Sequence, residues 1–179
     1  MDQLAPFLLN LSLHSDERGW RSAMIFKTPT QYFLVSGASD GYTALNAFDA
    51  ALLQAGIGNT NIVKMSSIVP PHCERISPII LPPGALVPAA YACITSDVPG
   101  EIISAGVAIA LPEDENQNGL IMEYSAKGER RKIEETVRNM ALEGMKLRGW
   151  KIKDLQTVVS EYRVKRIGAT LAAVVLWGE

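Results

Sequence analysis

Hydrophobic positions along the chain change period several times, and the changes mark its elements. Residues 22–27 (SAMIFK) and 32–36 (YFLVS) are short β-like runs, bracketed by the Pro29 turn and the loop GASDG. Thr43 is placed to cap a helix that runs to about Ala55 and closes at Gly56 and Gly58. The pattern then predicts strands at 61–68, 75–81, 89–96, 102–110 and 120–125, joined by LPPGALVP, DVPG and the acidic loop PEDENQNG. A second helix is expected from Gly128 to about Leu147, with Ile133, Val137, Met140, Ala141 and Gly144 on one stripe and Gly149 ending it. Strands at 155–164 and 169–177 finish the chain. Residues 1–20 read either as a short amphipathic helix or as an appendage, with HSDERG as a polar turn.

Two of these runs, AGVAIAL and LAAVVLW, are apolar at consecutive positions, the mark of strands covered on both faces. Many strands with two or three helices therefore predict one α+β domain built as a layered sandwich, helices outside. The length, 179 residues, suits one well-buried domain.

Composition narrows the function classes. With 47% hydrophobic residues and a net charge of −2, nothing points to a phosphate-tracking surface, and nucleic acid is not an expected partner. Cys73 and Cys93 lie in no CxxC or Cys/His cluster, and His14 and His72 are the only histidines, so no metal site is expected. Two lone cysteines fit a reducing cytoplasm. The stretch LAPFLLNLSL lacks a basic lead and is about ten residues long, short of a signal peptide or the ~20 residues of a membrane span.

Three features sit badly in an ordinary core. On a helical wheel Asp49 falls at about 40°, between Leu45 at about 0°, Leu52 at about 340° and Leu53 at about 80°. No Lys or Arg lies three or four residues away. A carboxylate facing the core needs a cation or good donors, supplied either by a structural ion pair with a distant Arg or subunit neighbour, or by a guanidinium ligand. Glu123 lies mid-strand in GLIMEYS, on the face of Ile121 and Ser125. It reads as a solvated edge residue or, if covered, as a carboxyl whose protonated form is favoured, as a general acid requires. The Ser66–Ser67 pair, between GIGNTNIVKM and IVPP, reads as turn chemistry. Its alternative is attack of a hydroxyl on the preceding carbonyl in a rigid backbone, breaking the chain and leaving a pyruvoyl group. A Ser-His-Asp triad is not supported: two histidines are a poor supply and no GxSxG elbow exists.

The run ALNAFDAALLQAGIGNTNIVKMSSIVPP resembles the processing region of the pyruvoyl-dependent arginine decarboxylases. The likeness continues through LPPGALVPAAYACITSDVPGEIISAGVAIALP, NGLIMEYSAKG, TVRNMALEGMKLRGW and GATLAAVVLW, covering about 32–178. Residues 1–21 stand outside it, as an N-terminal extension or a diverged first element before a domain at 22–179. The resemblance implies an α-β-β-α sandwich of mixed or antiparallel sheets, assembled as a homotrimer or hexamer with the site between subunits. It implies a cut between Ser66 and Ser67, giving chains 1–66 and 67–179, the second beginning with a covalent pyruvoyl group made from Ser67. No metal and no pyridoxal phosphate are implied. Asn61 corresponds to the residue that assists cleavage, Glu123 to the proton donor, and Asp49 to the carboxylate that receives the substrate guanidinium. Leu45 and Leu52 line the side-chain pocket, and Gly58, Thr60 and Ser66 flank the substrate, Thr60 departing from the small aliphatic residue of the family pattern. The activity implied is decarboxylation of L-arginine to agmatine and CO2, the ketone taking the α-amine and serving as electron sink. A pyruvoyl decarboxylase for another cationic amino acid, or an unprocessed ligand-binding relative, stands as the rival reading.

Overall fold

Alternation of side chains along two central strands organises the molecule. The computed structural model describes residues 27–178. Within them lie β1 (Gln31–Asp40), α1 (Ala44–Gln54), β2 (Asn61–Lys64), β3 (Ile68–Val69), β4 (Glu74–Arg75), β5 (Leu86–Ser96), β6 (Ile102–Pro112), β7 (Gly119–Lys127), α2 (Arg130–Leu147), β8 (Ile152–Arg163) and β9 (Gly168–Trp177). One sheet has the order β2-β5-β9-β1-β4 and the other β3-β7-β6-β8. The second is antiparallel throughout, whereas the first carries parallel pairs at both edges, β2 with β5 and β4 with β1.

The doubly apolar runs do what consecutive hydrophobicity requires. On β9, Ala172, Val174 and Leu176 face the layer between the sheets, while Leu171, Ala173 and Val175 face α1. On β6, Val107 and Ile109 face that same layer, while Ala108 and Ala110 meet Ile133, Val137, Ala141 and Met145 of α2. Three apolar layers thus separate helix, sheet, sheet and helix, the α-β-β-α sandwich. No helix among the described residues is long and apolar enough to cross a membrane.

The helices form as the pattern predicts. Thr43 caps α1, its side chain accepting from the Asn46 amide at 3.2 Å, and α2 ends in Gly149 at φ +67°. Gly37 of β1 lets α1 lie close: a Cβ there would stand 2.2 Å from the Ala51 carbonyl oxygen.

Two strands differ from expectation. Of residues 75–81 only Arg75 is in a strand, the short β4, since Pro78 cannot donate to a ladder and the stretch peels away after the Ile76 amide bonds the Tyr32 carbonyl at 2.9 Å. The run 61–68 is not one strand. Its first part pairs with β5 in one sheet and its last residue with β7 in the other. The predicted strand at 22–27 falls, but for Lys27, outside the described residues, and Lys27 itself is not in a strand.

Candidate active site

The break at 65–67 is the centre of the site. The Met65 amide still bonds Ala89 of the five-stranded sheet at 2.9 Å, while the Ser67 carbonyl accepts from Ile121 of the four-stranded sheet at 2.8 Å. The chain therefore changes sheets across Ser66, and Ser67 takes φ +70° to make the turn. A left-handed conformation at a non-glycine residue costs about 1–2 kcal/mol and persists because both flanks are held. The bond preceding Ser67 is strung between two sheets, a rigid setting in which a hydroxyl meets its own backbone.

Glu123 reaches this point from the neighbouring strand. Ile121 lies in the inter-sheet layer, and Glu123, two residues on, projects to the same side at the sandwich edge, where it is half-buried. The Ser67 hydroxyl donates to Glu123 Oε2 at 2.7 Å. A carboxylate at that distance can take the hydroxyl proton and later return one to an atom in the same place. The face expected from alternation in GLIMEYS is the observed one: Leu120 and Met122 pack towards α2, Ile121 between the sheets.

The comparisons with known proteins show the family. The family model described as pyruvoyl-dependent arginine decarboxylase matches residues 31–179. The chain belongs to the pyruvoyl-dependent arginine decarboxylase family. It is 49% identical to the pyruvoyl-dependent arginine decarboxylase of Methanocaldococcus jannaschii over 152 residues, 85% of this chain and 92% of that protein. The relative of the same name from Pyrococcus abyssi is 45% identical over 157 residues, 86% of this chain and 99% of that one. A solved pyruvoyl-dependent histidine decarboxylase aligns over 56% of this chain and 54% of its own, at 13% identity and a TM-score of 0.48.

The other residues singled out in the sequence are spread around the break. Asn61 begins β2, and its side-chain amide donates to the Gly84 carbonyl at 2.8 Å, holding the 82–85 turn against the strand that leads to Ser66. Thr60 donates to the Ile57 carbonyl at 2.7 Å, and a Cβ at Gly58 would stand 2.7 Å from the Leu53 nitrogen, so both shape the tight exit from α1. Leu52 packs half-buried beneath the helix.

Asp49 requires a correction. The wheel placed it on the core side with Leu45 and Leu53, but α1 buries Ala47, Ala51 and the capping Ala55 instead. The close approach at Gly37 brings Ala51 and Ala55 nearest the sheet, which leaves Phe48 and Leu52 half-buried at the flank and turns Leu45 and Leu53 outwards. Asp49 is exposed, with Leu45 75% and Leu53 51% exposed beside it. No hydrogen bond among the described residues joins Asp49 to Ser67 or Glu123. Two clefts of the chain also miss the chemistry: one of about 330 Å³ borders Pro70, His72, Cys73 and Lys153, another of about 320 Å³ borders Thr60 and Pro78. Neither is lined by Ser67, Glu123 or Asp49, so we place the chemistry by the Ser67–Glu123 contact rather than by concavity.

The left-handed backbone at Ser67 and the change of sheet were beyond sequence reasoning. The only hint was IVPP directly after the serines, whose Pro70-Pro71 forbids a long continuous strand.

Proposed function

We propose that this chain cuts itself between Ser66 and Ser67, into 1–66 and 67–179, and then decarboxylates L-arginine to agmatine and CO2. The contact of the Ser67 hydroxyl with Glu123, at a left-handed residue between two sheets, carries the reading. The names and identities of the relatives support it.

In the uncut chain Glu123 takes the Ser67 proton as Oγ adds to the Ser66 carbonyl carbon. The C–N bond breaks as the proton held by Glu123 passes to the Ser67 nitrogen, and the Ser66 acyl group remains on Oγ as an ester. Loss of the Ser67 Cα proton expels the Ser66 carboxylate, and hydrolysis of the resulting dehydroalanine releases ammonia. Asn61 holds the turn beside β2 and so keeps the strand leading to Ser66 in place while this occurs. The residues present fit the group, since it consists of Ser67's own atoms, and the hydroxyl of the uncut residue already meets the carboxylate. The pyruvoyl carbonyl supplies attachment for the substrate amine and a sink for the electrons left when CO2 departs.

Glu123 then faces the reacting carbon and delivers the proton that replaces CO2. Asp49 receives the guanidinium, which a carboxylate grips with two parallel hydrogen bonds; a lysine ammonium offers no such fork. Leu45 and Leu52 flank the alkyl part of the substrate, while Gly58, Thr60 and Ser66 border its amino-acid end.

Leu45, Asp49 and Leu53 lie open on a single chain, and we infer that a second copy covers them in a homotrimer or hexamer. Removing water from that face would give the Asp49–guanidinium pair its strength. With Cys73 and Cys93 both free, the reducing cytoplasm is the proposed compartment.

CO2 release assayed across arginine, lysine, ornithine and an uncharged amino acid tests the substrate. Arginine should exceed the others by roughly 10²-fold. Equal turnover of arginine and the uncharged substrate removes the Asp49 assignment.

A further inference from the structure

Among the described residues, nothing pairs with the edge of β7 beyond the serine break. β3 pairs only with Gly119 and Leu120, and the Ile121 amide closes on Ser67. Main-chain groups alternate sides along an antiparallel strand. Because Ile121 turns its amide to this edge, Glu123 and Ser125 turn theirs the same way, yet the chain has already crossed to the other sheet at Met65. Among the described residues, Glu123 thus sits on a stretch of strand paired on one side only, to β6.

One side chain compensates. Ser125 lies two residues after Glu123 on the same face, and its hydroxyl donates to the Cys93 carbonyl of β5 at 2.9 Å. β5 belongs to the five-stranded sheet, so this bond joins the two sheets just past the carboxylate. β5 also holds the incoming chain, through the Met65 amide on Ala89. The segment before the cut and the strand bearing Glu123 are therefore referenced to the same β5 backbone.

We propose that Ser125 is a positioning residue, whose bond to Cys93 sets Glu123 against residue 67 for both the cut and the proton delivery. This rests on the reading of Ser67 and Glu123 given above. It predicts that loss of the hydroxyl lets the bare edge shift by a fraction of an ångström, which lowers rates rather than substrate binding.

The test uses full-length Ser125→Ala and Ser125→Thr, with Ser160→Ala as control. Ser160 makes the corresponding cross-sheet bond from β8 to the Gly37 carbonyl, at 3.4 Å and on the far side of the sandwich. Ser125→Ala should process roughly tenfold more slowly and, once processed, show kcat for arginine down roughly tenfold with KM within about twofold. Ser125→Thr should restore both, and Ser160→Ala should leave both unchanged. A kcat of Ser125→Ala within twofold of the natural protein overturns the proposal, as does an equal loss in Ser160→Ala, failure of threonine to rescue, or a Ser125→Ala chain that cannot fold. If the unaltered chain neither cuts nor turns over arginine, the underlying reading fails instead, so the two failures are distinguishable.

Discussion

The two helices cover equivalent faces of the two sheets and present opposite surfaces. α2 turns Ile133, Val137, Ala141 and Met145 to its sheet and Arg131, Lys132, Glu135, Asn139 and Glu143 to the outside, with Leu142 and Leu147 as exceptions near its end. That is the stripe of an ordinary surface helix. α1 fully buries only Ala47 and Ala51, packs Phe48 and Leu52 at the flank, and holds Leu45, Leu53 and Asp49 outwards. The apolar side chains of α1 are thus divided between the core and solvent. The outer face of α1 is the one proposed above to meet substrate and a second copy, whereas α2 presents mostly charged residues there.

The sharpest way to break that comparison is to exchange carboxylates. Asp49→Asn should fold and cut normally yet lose arginine turnover by roughly 10²-fold, the cost of leaving a desolvated guanidinium without its anion. Glu135→Gln on the outer face of α2 should change turnover by less than twofold; matching losses would mean that Asp49 acts only through general charge. Next in size is the packing beneath α1. Gly37→Ala drives a Cβ to within 2.2 Å of a helix carbonyl and should lower stability by about 3 kcal/mol in denaturant titration. Val137→Ala beneath α2 should cost about 2 kcal/mol, as a buried truncation does.

Leu45→Ala should do the reverse, leaving stability of the single chain within about 0.5 kcal/mol while weakening assembly in sedimentation and raising KM for arginine several-fold. A stability loss as large as that of Val137→Ala would return Leu45 to the core. The smallest effect concerns Cys73, whose thiol is pushed up to about 11 by burial and then by the neighbouring Glu74 charge. A raised thiol pKa reduces the reactive thiolate near neutrality. The folded state favours the neutral thiol, so this contribution to stability is present below about pH 9 and is lost as pH rises towards 11. Alkylation of Cys73 at pH 8 should run more slowly in the folded protein than in denaturant, and equal rates would contradict the burial.

What the sequence reveals follows from what periodicity can encode. Consecutive apolar residues in β6 and β9 told of cover on both faces, and the stripe of α2 told of its burial, because both patterns come from large side chains meeting one sheet. The wheel assigns Asp49 to the core side, but α1 leaves it exposed. A wheel weighs leucine above alanine, while the close contact at Gly37 is made by Ala51 and Ala55. The crossing at Ser67 was illegible for another reason: residues 61–68 read as one strand because each half is strand, and only tertiary pairing sends them to different sheets.

The central claim is the cut at a bond held between those sheets, and intact mass under denaturing conditions tests it most directly. The account predicts two chains of roughly 7 and 12 kDa from the 19.4 kDa polypeptide. The larger should be lighter by one ammonia than a serine-ended 67–179 and reactive towards a carbonyl reagent, and Ser67→Ala should remain whole. A single uncut chain in protein that turns over arginine would contradict it.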